Sequence, residues 1–132
     1  HIRQHLDQHG FDYVEIEEIR GTPATRLDPT SPLVGWALDI LAKTSGKKPA
    51  LLPNLGGSLP TEVFSAILGL PTLRVPHSYP SCGQHAVDEH MLKSIAREGL
   101  QMMTALFWDL GEQGAQLIAQ QQAHQAPSGV KA

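Results

Sequence analysis

The sequence predicts an α/β fold with at least two buried strands. Three observations carry this. Helix-like and apolar strand-like segments alternate along the chain. Two short apolar runs, Ala50-Leu51-Leu52 and Leu70 to Val75, are each bounded by Pro or Gly turn signals. Hydrophobic residues make up 41% of 132 residues, enough for one ordinary core. Two strands alone make a thin sheet, so further strands are expected from elsewhere.

Residues 2–9 read as a short helix, with Ile2 and Leu6 four apart and Gly10 as its stop. Residues 11–19 (FDYVEIEEI) alternate between apolar and acidic and read as a strand, though without a clean register. The following stretch to Pro32 has turn signals and no periodicity. Ser31-Pro32 is a helix start, a hydroxyl N-cap followed by proline at the first helical position. Leu33, Val34, Ala37, Leu38 and Leu41 then recur at helical spacing, and Gly46 closes the helix. Asn54 to Pro60 is a tight loop, 61–68 a short helix ended by Gly69, and 76–85 a second loop. Asp88 is the expected cap of a long helix running to about Leu110, with 113–123 as an extension. The segment from Gln120 onward has almost no apolar residues and is expected to fray.

Composition excludes several classes. Net charge is −3 and the ten Lys and Arg are scattered, so no basic stripe suits nucleic acid. No apolar run approaches the ~20 residues of a membrane span, and no secretory h-region is present. The single cysteine, Cys82, rules out a disulfide within the chain and suits a reducing, cytoplasmic setting. The chain opens on His1 and runs directly into helix-like sequence, the pattern of a fragment, a processed chain or an engineered piece.

The stretch Gln84-His85-Ala86-Val87-Asp88-Glu89-His90 is the richest in chemistry. A histidine where a loop enters a helix is well placed to bind zinc through neutral imidazole. Asp88 and Glu89 would orient such a ligand or cap the helix. The plainer reading is a polar neighbour of a helix start. His85 and His90 are five apart, not the four that stacks two imidazoles on one face. Gly56-Gly57-Ser58 is the second candidate: paired glycines let backbone N–H groups approach a carboxylate or oxyanion, and a plain turn is the alternative. His1, His5 and His9 fall at i, i+4 and i+8, a stripe read chiefly as a solvated face open to an adventitious metal. Cys82 has no base beside it in sequence, and Ser58 is not in a G-x-S-x-G elbow.

Taken together, PNLGGSLP, then LGLPTLRVPHS, then CGQHAVDEH, then a long helix ending FWDLGE resembles the last catalytic segment of the aminoacylase, carboxypeptidase G, desuccinylase and carnosinase-like dipeptidase family of dinuclear-metal amidohydrolases. The resemblance covers roughly residues 26–111. It implies an organisation with residues 1–25 as the end of a lid (dimerisation) domain, 26–111 as the carboxy-terminal segment of an α/β catalytic layer, and 112–132 as helix extension and flexible tail. It implies a parent enzyme with two divalent metal ions, zinc or manganese or cobalt, in which a metal-activated water attacks an amide carbonyl of an acylated amino acid or dipeptide. By the same resemblance His85 of the H-x-x-x-E pattern is a metal ligand, Gly57 and Ser58 bind the substrate carboxylate, and Glu89 supports the ligand from behind. Asp88 departs from the Asn of many relatives. The family's H-x-D motif, bridging Asp and Glu-Glu pair have no counterpart here, so the chain by itself is expected to be inactive. The parent is expected to form a homodimer through the lid. The readings that compete with an enzyme segment are a non-enzymatic α/β interaction or dimerisation module and a degenerate homologue without metals.

Overall fold

The computed structural model describes residues 1–18, 21–57 and 59–125. Its elements in order are helix α1 (Ile2–Gln8), helix α2 (Pro32–Ser45), a wide π-helical turn (Val63–Ile67), a 3-10 turn (Pro80–Cys82) and helix α3 (Lys93–Gln125). Among the described residues there is no strand. The α/β expectation is therefore corrected to a helical architecture with long extended connections.

Helix α1 ends as its sequence predicts. Gly10 takes the left-handed backbone at φ 75°. The Phe11 N–H reaches back to the Leu6 carbonyl at 2.9 Å, and the Gly10 N–H to that of Asp7 at 3.4 Å, the pattern of a Schellman closure. Seven residues are too few for a helix to persist on propensity alone. Arg3 supplies the tether. Its guanidinium donates to the Asp7 carboxylate at 2.9 Å, the Val14 carbonyl at 2.6 Å and the Phe11 carbonyl at 3.2 Å. These bonds fold residues 11–14 against α1 as turns. The alternation that suggested a strand at 11–19 has no ladder partner among the described residues, and Ile19 lies outside them.

Helix α2 runs from Pro32 to Ser45 and is closed by Gly46, φ 67°, as expected; Ser31 holds the N-cap position, but its hydroxyl makes no cap hydrogen bond and is turned to Gln121 instead. The helix buries Val34, Ala37 and Leu41. Helix α3 starts later than expected, takes in the expected extension as one helix, and continues through residues 120–125, expected to fray. It opens at Lys93, five residues beyond Asp88, and runs without interruption to Gln125. Its 33 residues span roughly 50 Å at the standard rise. Cross-links fix the pairing of the two helices. Lys47 meets Glu98 at 3.3 Å, the Trp36 indole N–H donates to Asp109, and the Ser31 hydroxyl donates to Gln121 at 2.6 Å. As residue numbers rise along α2 they fall along α3, so the helices are antiparallel. Ala37, Leu41 and Leu106 form the centre of the core, flanked by Trp36, Ile40, Leu73, Val75 and Met102.

The two apolar runs expected as buried strands lie elsewhere. Leu51 and Leu52 are exposed, as is Leu70. Their backbone finds no ladder partner, and an extended segment without one is not a sheet. Residues 73–79 are extended with a period of two all the same. Leu73, Val75, His77 and Tyr79 are half-buried, whereas Arg74, Pro76 and Ser78 are exposed. The inward set rests on helices instead of pairing with another strand. His77 lies over Gly99 of α3, where an added Cβ would come within 3.1 Å of the imidazole. The short helix expected at 61–68 is the π turn, and Gly69 ends it with φ 66°. Thr61 ties this region down: its hydroxyl accepts from Arg74 at 2.8 Å and shares a hydrogen bond with Thr25 at 2.7 Å.

Candidate functional site

The loop between the extended segment and α3 is stitched shut at several points. The Pro80–Cys82 turn places the Cys82 thiol in the interior. The His90 N–H then returns to the Cys82 carbonyl at 2.9 Å. Tyr79 is the strut of the loop. Its hydroxyl donates to the His90 carbonyl at 3.1 Å and accepts the Leu92 N–H at 3.1 Å. The Tyr79 and His90 rings meet edge to face at 6.1 Å. Residues 82–90 thus form a closed loop standing before the first turn of α3.

Within this loop, the Ala86 N–H closes a turn onto the Gly83 carbonyl at 2.9 Å. His85 occupies the third position of that turn with φ 64°, where type II and I′ turns require positive φ. Asp88 is also left-handed, φ 62°. Such backbone costs a residue with a Cβ about 1–2 kcal/mol, although His and Asp enter it more readily than most. The consequence is that His85, Asp88 and Glu89 are all exposed. The His85 imidazole makes no hydrogen bond among the described residues, while that of His90 is held by the Asp88 carbonyl at 2.9 Å.

The other expected site residues stand apart. Gly57 is exposed with φ 141° in the Gly56-Gly57 turn, a backbone open to glycine and strained for other residues. Ser58 lies outside the described residues. No hydrogen bond or ion pair joins that turn to His85 or Glu89 among the described residues. Asp88 does not cap α3. Glu89 is backed against Gly83, its Cα 3.5 Å from where a Cβ of residue 83 would lie, and it makes no hydrogen bond to His85. Sequence reasoning missed Tyr79 as the strut. The available signal was the Tyr79-Pro80 pair followed by Gly83, a 3-10 start and a left-handed stop.

Among the described residues no group of three or more His, Cys, Asp or Glu side chains is placed to hold a metal ion. His85 is an available ligand, and it is one ligand where catalytic zinc takes three. These residues do not fit a dinuclear site by themselves. A groove of about 610 Å³ runs between α2 and α3, lined by Ile40, Lys43, Leu100 and Trp108 among others. It includes no residue of the His85 loop. No helix among the described residues is long and apolar enough to cross a membrane. Comparison with protein-family models, curated proteins and solved structures gives no match.

Proposed function

We propose that this chain is the carboxy-terminal part of a metal-dependent amide hydrolase of the aminoacylase, deacetylase or dipeptidase type. On this reading His85 is a ligand to one of two divalent ions, zinc or manganese or cobalt. Gly57 and Ser58 hold the carboxylate of an acylated amino acid or dipeptide, and Glu89 supports the ligand. The remaining ligands come from chain beyond these 132 residues, so the chain alone is inactive. The parent is a cytoplasmic homodimer. One observation carries the reading: His85 is lifted into solvent on a left-handed turn, its imidazole unengaged among the described residues, in a loop braced by Tyr79 at the foot of α3. A strained, unpaired imidazole on a braced loop suits a ligand better than a helix cap.

The test is made in the longer polypeptide that contains this chain. His85→Ala is expected to remove one of two bound metal equivalents, read by elemental analysis. Hydrolysis of N-acyl amino acids should fall by more than about a hundredfold, the upper end of what even outer partners of metal ligands contribute. An unchanged metal content and rate would sink the assignment. A second reading, an interaction module, draws support from uncovered apolar side chains such as Leu55 at 65% and Ile67 at 73% exposure. In that case partner binding survives His85→Ala and is lost on changing Ile67.

A further inference from the structure

Helix α1 carries a second histidine feature, separate from the His85 loop. His5 and His9 are four apart, so their side chains leave the same face of the helix. Their ring centroids lie 4.4 Å apart at an interplanar angle of 47°. Both are exposed, and neither side chain makes a hydrogen bond among the described residues. We propose that His5 and His9 form a two-imidazole clamp for a borderline divalent transition-metal ion, with Cu²⁺ bound more tightly than Zn²⁺.

The distances suit this ligand. An ion about 2.0–2.1 Å from each nitrogen requires the two nitrogens to be roughly 3 Å apart. Rings with centroids 4.4 Å apart reach that separation by small rotations about χ2. The pair sits on the last turn and C-cap of α1, the end of a helix whose dipole favours a cation. The one strong cation on the helix is turned away: the Arg3 guanidinium is engaged with Asp7 and the carbonyls of Phe11 and Val14. The same contacts, with the Schellman closure, hold the turn that presents both rings, so little ordering remains when an ion binds. His1, four residues before His5, is not stacked with the pair. With no third His, Cys, Asp or Glu side chain among the described residues placed to join them, water completes the coordination, and the site is open and exchangeable. Imidazole ligands place Cu²⁺ above Zn²⁺ in the general order of stability.

The experiment is a titration of the 132-residue chain, its amino terminus acetylated, with Cu²⁺ and separately with Zn²⁺, followed by calorimetry and by Cu²⁺ EPR. One Cu²⁺ is expected with nitrogen hyperfine structure from two imidazoles, bound more tightly than Zn²⁺. His5→Gln and His9→Gln should each weaken it by about tenfold or more, with far-UV circular dichroism unchanged. His85→Ala should leave it intact, which separates this site from the ligand proposed for the hydrolase. Undiminished binding in His9→Gln, loss in His85→Ala, or a dissociation constant above about 1 mM overturns the clamp.

Discussion

The α2–α3 hairpin and the excursion from Lys47 to Leu92 are built on opposite principles. In the hairpin, nearly every polar group that enters the interior has a partner. Ser31 is 1% exposed and Gln121 7%, and each satisfies the other. In the excursion, polar tethers such as Thr61 and Tyr79 hold the chain and only a few side chains, Leu73, Val75 and Cys82 among them, turn inward. Large apolar side chains stay in water in both regions, Ile67 in one and Phe107 and Trp108 in the other. Most of the core therefore lies in the hairpin, and the residues with chemical character, Gly57, His85 and Glu89, are carried by the part that contributes less to it. That division is common where binding residues sit on loops supported by a rigid scaffold.

The sharpest way to break this comparison is to cut into the hairpin. Leu106 is at the centre of the core. Leu106→Ala should cost about 2–4 kcal/mol, enough to unfold much of a chain with so small a core, as read by urea denaturation. Ile67→Ser, in the excursion, should change stability by no more than about 0.5 kcal/mol. Equal losses would show that the excursion contributes to stability beyond the packing of Leu73 and Val75 against the core.

A smaller effect comes from the buried polar pair. Ser31→Ala leaves the Gln121 carbonyl oxygen buried without its donor and should cost about 1–3 kcal/mol. Adding Gln121→Leu should recover most of that loss, because an apolar pair leaves no group unsatisfied. No recovery would mean that the hydroxyl acts through the helix start and not through Gln121.

The smallest effect is set by pH. The Asp28 carboxyl is held at about 2, below its ordinary 3.8, by the Thr30 N–H first, then the Thr30 hydroxyl, then His124. A depressed carboxyl stabilises the fold at pH values above 3.8, and that contribution is lost as the pH falls toward 2. Asp28 is surface-exposed, so the effect is modest and screened by salt. Asp28→Asn should flatten the fall in denaturation midpoint over that acid range and lower the midpoint by a roughly constant, modest amount above it.

Local signals in the sequence read well where the structure is decided locally. Ser31-Pro32, Gly46 and Gly10 mark helix ends because caps depend on a few adjacent residues. The apolar runs at 50–52 and 70–75 misled because a strand is defined by its partner, and no partner follows from the run itself. Leu73 and Val75 are in fact inward-facing, so their burial was legible and their neighbour was not. The start of α3 was misplaced because Asp88 and His85 resemble helix-entry residues in sequence, whereas both adopt left-handed backbone. Of the candidate site, the exposure of His85 follows from that turn, and its relation to Gly57 depends on distant chain segments that spacing does not encode.

Gly99 has a consequence for assembly. With the His77 ring lying where a side chain would otherwise project, the flat spot on α3 acts as a keyway. A shift of the extended segment by one helical turn would bring the ring over Ile95 or Met103, each four residues from Gly99 on the same face and each carrying a side chain. The residue with no side chain thereby favours one setting of the extended segment, and with it of Tyr79, which braces the loop that follows.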